Sequence, residues 1–479
     1  MWTLVVLSNA VAFSSLTWLF LTIHGFLTAS VMNPPWFRNL RRPVLRTTAR
    51  LFKLHQTVFP ASKSTPVSTT ASPDSPVLWP ASTPIEEEEL PGYVDEDYYP
   101  TRIGQVFESR YRVLCKLGRG TGSTVWLAKD LCVVLQQAQN EIAVLDYLKS
   151  SPVQQHPGKA FVRTILTSFE VSGPKGSHKC LVYQPLGMTF TELRNLLPEG
   201  RIETRMLQHA LQILLVALDY LHKNNVVHTG KDPPPNYKAT TVFYSWNISP
   251  NNILCGVKNL SPFEELEEAE RAQPVARKVL SDRVIYLSRQ TPMTQGEPVL
   301  SDLGSARFGQ EEYQGDIMPL VYRAPEVILD MKWSSKVDIW SMGVIPLTYR
   351  FQVWDLLEGR RLFVAKRDGL VDDEQHLAEM VSLMGPPPRE FLQRSKKCAS
   401  YFDDSSNWLG SIPIPTTSLE ERVTHLEGKD KQLMLSFARR ALRWLPEERP
   451  TAEELAFDDW LMQPYSESKV LEKGLNSEG

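Results

Sequence analysis

The spacing of apolar residues changes along the chain, and this change limits the folds that the sequence can adopt. From Tyr111 to Asp130, alternating apolar residues flank a glycine-rich turn, which predicts two adjacent strands. From Glu203 to Lys223, leucines recur at the spacing of a long buried helix, and helical spacing returns in later segments. A small strand-rich part therefore precedes a large helical part. This order predicts an α+β fold of two lobes, a small strand-rich amino-terminal lobe and a large helical carboxy-terminal lobe.

The composition is that of an ordinary globular protein. Of the 479 residues, 42% are hydrophobic and 22% are charged, and the formal net charge is −3. This balance gives no general reason to expect direct binding of nucleic acid. The five cysteines are scattered and lack CxxC spacing, which argues for a reducing compartment and against a disulfide framework or a zinc site. They are Cys115, Cys132, Cys180, Cys255 and Cys398.

The amino terminus is unusually apolar, and three interpretations of it stay open. From Met1 to Phe37 there is no Asp, Glu, Lys or Arg, and residues 4–27 are mostly apolar. A run of about 20 apolar residues can cross a bilayer, and the arginines that follow would leave the rest of the chain in the cytosol. Alternatively, Met32 is the true start and the apolar run is a spurious extension. A third interpretation is a cleaved leader, because the segment from Met32 is rich in Arg and lacks acids, as mitochondrial leaders do.

Shifts in composition divide the chain further. Residues 61–84 are mostly Ser, Thr and Pro, which is typical of an unpacked linker, and an acidic stretch follows. Regular patterning starts near Ile103. We therefore expect an apolar segment (1–31), a basic leader with a disordered linker (32–89), the small lobe with its leading segment (90–186), the large lobe (187–465) and a tail (466–479).

Three short motifs carry residues suited to phosphate chemistry. The run GRGTGSTV, from Gly118 to Val125, would let the backbone fold closely over phosphate oxygens, although a glycine-rich hairpin without a ligand explains it equally well. ISPNNIL offers Asn252 before an apolar strand, and SDLGSAR offers Asp302 after one. An amide and a carboxylate that converge there would suit Mg²⁺, although each residue alone is also explained by an ordinary Asx turn.

Three further charged residues stand in apolar surroundings. Asp338, within VDIWSMGV, lies between apolar neighbours and is expected to be buried and hydrogen-bonded, unless it simply caps a helix. Glu326 in VYRAPEVIL and Arg449 in WLPEERPTAEEL would each be a surface charge by default. Only the order of all these motifs raises them above such ordinary explanations.

That order resembles the protein kinase fold over about residues 90–463. A glycine loop, a helix with Glu, a hinge, HT…NN, DLG, APE, DIWSMG and a late Arg follow one another as they do in that family. The run LPGYVDEDYYPTRIGQVFESRYRVLCKLGRGTGSTVWLAKD, the long insert between NNIL and DLG, and LVDDEQHLAEMVSLMGPPP are similar to SR-protein kinases and their fungal relatives, in the CMGC group. The resemblance implies a serine/threonine kinase that uses ATP and Mg²⁺ to phosphorylate serines in Arg/Ser-rich proteins such as splicing factors.

The resemblance also assigns roles to residues. Asn252 and Asp302 would hold Mg²⁺, and His228 would brace the catalytic loop. Glu326 and Arg449 would form a buried structural ion pair. Nine residues would contact the nucleotide, namely Gly118, Arg119, Gly120, Thr121, Gly122, Ser123, Val125, Tyr183 and Leu186. The partner would be a protein substrate rather than nucleic acid. The chain would be a monomer in the cytoplasm or nucleus, unless its amino terminus anchors it in a membrane or directs it to mitochondria.

Three acids suggest how an Arg-rich substrate would be held. Asp372, Asp373 and Glu374 fall where the family presents an acidic docking surface. The alternative is that they only form the solvated start of a helix.

The catalytic loop itself is interrupted. The family's loop reads like HTDISPNNIL, with an Asp that accepts the proton of the substrate hydroxyl, whereas here residues 230–246 intrude after Thr229. Asn247 stands at the Asp position, and an amide cannot accept a proton as a carboxylate can. The position of Asp232, inside the intruding segment, cannot be inferred.

A deletion marks the small lobe. Only ten residues separate Asp130 from Glu141, which matches the helix Glu of the family. The strand that should carry its lysine partner has no room there, and neither Lys116 nor Lys129 belongs to that strand. The sheet would thereby lose an internal strand.

Two explanations of these departures compete. One is an error in the gene model, since Gly230-Lys231 can be encoded by GGTAAG, which contains a usual splice-donor sequence. The other is a natural pseudokinase that keeps Asn252 and Asp302 but acts as a docking or scaffold protein.

Overall fold

A computed structural model gives the architecture of the chain. The described residues are 2–9, 76–90, 92–120, 123–130, 144, 147–148, 150–153, 155–174, 176–197, 202–229, 251–318, 320–344, 346–347, 351–352, 362–368 and 370–466. They form two compact units. Unit 1 comprises residues 1–139, 164–185 and 259–292, and unit 2 comprises residues 140–163, 186–258 and 293–479.

Unit 1 is built on a six-stranded antiparallel sheet in the order β2-β3-β4-β1-β6-β5. Its strands are β1 (Trp2–Asn9), β2 (Val106–Phe107), β3 (Tyr111–Gly120), β4 (Ser123–Asp130), β5 (Ile165–Gly173) and β6 (Gly176–Tyr183). Since successive residues of a strand face opposite sides, alternate residues of neighbouring strands gather on one face. That face carries an apolar cluster that includes Val113, Trp126, Ala128, Cys180 and Val182.

Strand β1 fills the place of the internal strand whose loss the sequence predicted. Residues 2–8 pair with Ser123–Lys129 of β4, and residues 4–9 pair with His178–Tyr183 of β6. Leu4 is buried within the sheet. The start of the apolar segment, read from sequence as a membrane anchor, an extension or a leader, is therefore a strand of unit 1. No helix in the described parts of the chain is long and apolar enough to cross a membrane, and residues 10–27 lie outside those parts.

The acidic stretch before the small lobe is packed rather than linker-like. Glu86–Glu89 form a short 3-10 helix, and the first two of these side chains are buried. Lys116 of β3 is fully buried and forms ion pairs with Glu86, at 3.5 Å, and with Glu87. Burial favours a higher pKa for Glu86, but Lys116 and hydrogen bonds from Ser288 outweigh burial and lower the pKa. The packed part of unit 1 therefore starts before residue 90. Burial of these acids is possible because Lys116 compensates their charge.

The long insert between the motifs NNIL and DLG also belongs to unit 1, although the sequence analysis assigned it to the large lobe. It forms a helix, Ser261–Ala272, and a hairpin of Arg277–Val279 with Val284–Tyr286. Tyr286 packs edge-on against Trp126, with ring centroids 5.7 Å apart. The insert thus covers the apolar face of the sheet.

Unit 2 is mainly helical, as the sequence predicted. Its helix Thr204–Lys223 is buried at every residue from Leu207 to Leu221, which explains the density of leucines. Among the polar side chains of this helix, Gln208 donates to the carbonyl of Trp460 at 2.8 Å. The other helices of unit 2 include Phe190–Asn195, Pro325–Ile328, Lys336–Val344, Asp373–Met384, Arg389–Leu392, Leu419–Arg422, Gly428–Ala441 and Ala452–Ala456.

Candidate active site

Two short strands bring the predicted metal ligands to the same place in unit 2. Strand Ile253–Cys255 pairs antiparallel with Pro298–Leu300, and Leu300 lies opposite Ile253. Asn252 precedes the first strand and Asp302 follows the second, so both lie at the same end of the pair. Ser301 locks this end, because its backbone N–H and its hydroxyl donate to the carbonyl of Asn252 at 2.7 and 3.0 Å.

The backbone of Asp302 is held in an uncommon conformation. Its φ is +67°, in the left-handed region that costs a non-glycine residue free energy. The side chain of Asp302 is exposed, whereas its neighbours Ser301 and Leu303 are buried. The buried neighbours fix the chain, and the strained residue between them presents its carboxylate outward. Residues in such conformations cluster at functional sites, but the conformation also occurs elsewhere in this chain, as at Asp330.

The donor set fits Mg²⁺ bound together with phosphates. Asn252 and Asp302 offer an amide and a carboxylate oxygen, which are hard donors, at adjacent positions. Among the residues that the structure describes, no group of three or more His, Cys, Asp or Glu could hold a metal ion alone. Protein sites usually hold Mg²⁺ through one or two carboxylates and the substrate's phosphates.

His228 is fixed beside this end of the strand pair. It is fully buried, and its Nε2 lies 3.0 Å from the carbonyl oxygen of Ser301. Its backbone N–H donates to Oδ2 of Asp338 at 2.9 Å, and the same oxygen lies 2.9 Å from Nε2 of His222. His228 thus connects the chain just before the interruption to the strand end that carries Asp302, and its role in bracing the catalytic loop stays a prediction.

The described part of the network ends at Thr229, directly before the interruption. Asp338 is completely buried, as its sequence context predicted, yet its Oδ1 has no hydrogen-bond partner among the described residues. Thr229, the last described residue before the intruding segment, has a φ of +38°. Both the buried acceptor and the strained backbone lie where the loop should continue. Asn247, Asp232 and Glu141 fall outside the described residues, so their assignments stay predictions.

The glycine-rich hairpin of unit 1 forms as predicted, between β3 and β4. Gly118 lies opposite Val125 and Gly120 opposite Ser123, while Thr121 and Gly122 are outside the described residues. The side chain of Arg119 forms ion pairs with Glu86 and Glu89, at 2.8 and 2.9 Å. Its charge is therefore already compensated within unit 1.

The remaining predicted nucleotide contacts fall on either side of a unit boundary. Tyr183 ends β6 in unit 1 and is buried, with Leu4 of β1 opposite it. Leu186 is half-buried and belongs to unit 2. Their common role stays a prediction.

The strand that occupies the gap in the sheet brings no lysine with it. Trp2–Asn9 contains no charged residue, although it occupies an internal place in the sheet. Lys116 is committed to Glu86 and Glu87, and Lys129 lies 3.3 Å from Glu267. The lysines that flank the gap are thus neutralised by acids of unit 1.

The predicted ion pair between APE and the late arginine is present and buried. Arg449 binds Glu326 through two parallel hydrogen bonds of 2.6 and 2.7 Å, and both residues are about 1% exposed. The guanidinium also donates to the carbonyl of Arg443 and lies over the ring of Trp340, 5.1 Å from its centroid. The pair joins the start of helix Pro325–Ile328 to the carboxy-terminal part of unit 2.

The three acids proposed as a docking surface are partly used by the fold. Asp372 caps its helix by accepting from the N–H of Gln375 at 2.9 Å, and it pairs with Arg367 at 2.8 Å. Glu374 accepts from the hydroxyl of Ser411 at 3.1 Å. For Asp373, burial raises the pKa of the carboxyl, an effect that nearby cationic side chains oppose. The helix-start interpretation therefore accounts for Asp372.

Two groups of functional relevance escaped the sequence analysis. One is β1, whose β-branched and apolar residues Thr3, Val5 and Val6 gave a signal compatible with a strand. The other is the set of acids Glu86 and Glu87 that bury Lys116. The run of four consecutive glutamates was the only signal for them in the sequence.

Comparisons with known proteins agree with this arrangement. A family model described as the protein kinase domain matches residues 291–461. A serine/threonine protein kinase of Aspergillus fumigatus is 38% identical over 420 residues, covering 84% of this chain and 96% of the relative. The serine/threonine-protein kinase SRPK of Physarum polycephalum is 28% identical, covering 79% and 91% respectively. Protein kinase dsk1 of Schizosaccharomyces pombe is 23% identical, covering 79% and 85%.

A solved structure confirms the fold class. The crystal structure of a kinase domain covers 77% of this chain and all of its own chain, with a TM-score of 0.51 and 19% sequence identity. The predicted α+β kinase fold is thereby confirmed. The similarity to the Aspergillus kinase extends over most of the chain and shows the family. The chain belongs to the serine/threonine protein kinases and is of the SR-protein kinase-like type.

Proposed function

We propose that this chain is built to transfer phosphate from MgATP to serines of Arg/Ser-rich proteins, and that its interrupted loop limits the rate. The observation that carries the proposal is the network of unit 2 in which Ser301 bonds to Asn252 and His228, with Asp302 next to it. In a protein kinase, residues in these positions would hold the metal and the phosphates. Strand pairing and buried contacts among the described residues hold the network together.

The roles of the residues follow from their chemistry. Asn252 and Asp302 would hold Mg²⁺, which when bound neutralises charge on the transferring phosphate. His228 holds the strand end that carries Asp302 in place through the carbonyl of Ser301. The amide of Asn247 has no basic lone pair for the proton of the substrate hydroxyl. Loss of a general base costs about 10²–10⁴-fold in rate.

The preference for Arg/Ser-rich substrates is supported by the relatives and by charge. A relative carries the name SRPK. In this chain Asp373 and Glu374 stand at the start of one helix, and carboxylates bind guanidinium groups in a bidentate manner. Glu374 also binds the loop at Ser411, whereas the carboxylate of Asp373 has no hydrogen bond among the described residues.

A second candidate function is docking without turnover. The observation that favours it lies in unit 1, where Trp2–Asn9 brings no lysine and Lys116 and Lys129 are paired with acids. A kinase that lacks a cation for the α- and β-phosphates could still bind proteins. Nucleotide binding separates the two functions, because a ligand that binds only the folded state raises its stability.

Asp302→Ala is expected to abolish stabilisation of the chain by MgATP. At a nucleotide concentration of about 100 times Kd, binding adds about 2.7 kcal/mol to the free energy of unfolding. This gain should be lost in the variant because it removes the carboxylate placed for the metal. Thermal unfolding with and without MgATP measures the gain. The matched control is Asp330→Ala, since Asp330 is likewise exposed and has a φ of +52°.

Each outcome of this experiment decides one point. Stabilisation of the parent chain that is lost in the Asp302 variant but kept in the Asp330 variant supports the metal assignment. Equal stabilisation of both variants refutes it. If MgATP fails to stabilise even the parent chain, the docking function is favoured.

Substrate preference is tested with peptides. The assay uses a chain with a repaired catalytic loop, which lacks residues 230–246 and carries Asn247→Asp. This chain should phosphorylate an Arg/Ser repeat peptide at least about tenfold better than a peptide in which every Arg is replaced by Gln. Asp373→Asn should reduce this ratio, because a neutral amide attracts guanidinium groups less strongly. Incorporation of labelled phosphate measures the rates. Equal rates with both peptides contradict the Arg/Ser preference and leave the kinase activity itself established.

A further inference from the structure

The gap between β4 and β6 is matched in length by the segment that fills it. Strands β1, β4 and β6 each contain eight residues. The ten residues between Asp130 and Glu141 would leave only two for connections if they supplied a strand of this length. A strand supplied from there would have to turn and reach Glu141 within those two residues. In the structure the place between β4 and β6 is taken by the distant segment Trp2–Asn9.

Strand β1 also closes the apolar cluster of unit 1. Trp126 and Ala128 come from one neighbour of β1, and Cys180 and Val182 come from the other; all four are at most 3% exposed. Without β1, two strands with unpaired backbone N–H and C=O groups would face each other across an open gap. Water would then reach a cluster that the sheet now covers. The occupant is thus required for the core and not only for the edge pairing.

We propose that the gap between β4 and β6 is a strand-acceptor site, and that its occupant is this chain's own amino-terminal segment Trp2–Asn9. Such a site binds through main-chain hydrogen bonds on both sides, so it selects an extended, uncharged, β-branched segment rather than one particular side chain. The sequence WTLVVLSN has this character. A chain that starts at Met32 would lack its occupant and would present an open site to the strand of another molecule.

Cysteine pairs test the occupant and its register in the full chain. Ser8 lies opposite Lys179 of β6, and directly opposed residues of antiparallel strands have Cα atoms about 4.5–5.5 Å apart. This separation suits a disulfide bond. The double variant Ser8→Cys/Lys179→Cys should therefore form a disulfide between positions 8 and 179 under mild oxidation. Proteolysis and mass spectrometry identify the linked peptides.

The control is shifted by one residue. In Asn9→Cys/Lys179→Cys the new side chains belong to opposite faces of the sheet, since residue 9 pairs with His178. This variant should form at least about tenfold less of the disulfide. Equal cross-linking in both variants, or none in either, overturns the proposal. A disulfide that joins two chains, seen as a dimer on a non-reducing gel, also overturns it, because the strand would then come from a second copy.

A second measurement does not depend on oxidation. A protease site inserted between Ser30 and Val31 allows the segment to be cut from the folded chain. The fragment should co-elute with the remainder in gel filtration and separate from it in urea. Val5→Pro should release the fragment, since Val5 is central and proline cannot donate to a neighbouring strand, whereas Val5→Ile should retain it. A fragment that leaves a remainder of unchanged circular dichroism contradicts the proposal.

Discussion

Replacing Glu326 or Arg449 by alanine is expected to lower the free energy of unfolding of unit 2 by about 3–5 kcal/mol. Both side chains are buried, and each satisfies the charge of the other through two hydrogen bonds. Removing one partner leaves a charge without compensation in the interior, which costs more than the attraction itself contributes. Urea unfolding followed by circular dichroism measures the loss.

Two matched variants show that burial causes the effect. Arg394 and Glu447 form an ion pair that is 37% and 57% exposed, so Arg394→Ala should cost at most about 1 kcal/mol. The double variant Glu326→Met/Arg449→Met should be more stable than either single alanine variant, because no isolated charge remains. If the single variants unfold at the same urea concentration as the parent chain, the buried pair is not present in solution.

The parts of the site that sequence reasoning predicted are those that local rules determine. Asn252 and Asp302 flank two short apolar strands, and the antiparallel pairing of those strands brings the residues together. The long helix Thr204–Lys223 follows from its leucine spacing. Glu326 and Arg449 are different, because 122 residues separate them in sequence and only the resemblance to kinases paired them.

Long-range contacts explain what the sequence did not reveal. An apolar run without a local partner is ambiguous between strand and helix, so Trp2–Asn9 could not be placed before its neighbours β4 and β6 were known. A run of glutamates is usually solvated, and nothing local indicates that Glu87 binds the buried Lys116. Likewise, the packing of Tyr286 on Trp126 that draws the insert into unit 1 joins distant parts of the chain.

Restoring the catalytic loop is expected to raise the rate of serine phosphorylation by about 10²–10⁴-fold. The altered chain lacks residues 230–246 and carries Asn247→Asp. The loop then runs from Thr229 directly into a carboxylate, which can accept the proton of the substrate hydroxyl if it lies within about 3 Å. His228, which precedes Thr229, already contacts the carbonyl of Ser301. Asp338, which binds the backbone of His228, has a buried oxygen without a partner among the described residues. Continuity of the loop should therefore restore placement.

A second alteration addresses the small lobe. The lysine-bearing strand of a close relative is inserted between Asp130 and Glu141, and residues 1–31 are removed so that the gap in the sheet is free to receive it. The combined chain should be the most active, because a lysine in this strand binds the α- and β-phosphates and pairs with the helix Glu. Labelled ATP and an Arg/Ser peptide at matched folded concentration measure each step.

The separate parts of the loop repair serve as controls. Asn247→Asp alone supplies the carboxylate but leaves a 17-residue segment with three consecutive prolines, Pro233–Pro235, between it and Thr229. Deletion of residues 230–246 alone restores continuity without a base. Each should therefore remain at least about tenfold less active than the complete loop repair. If the unaltered chain is as active as the repaired one, the intruding segment must supply a base of its own, and Asp232→Asn should then abolish the activity.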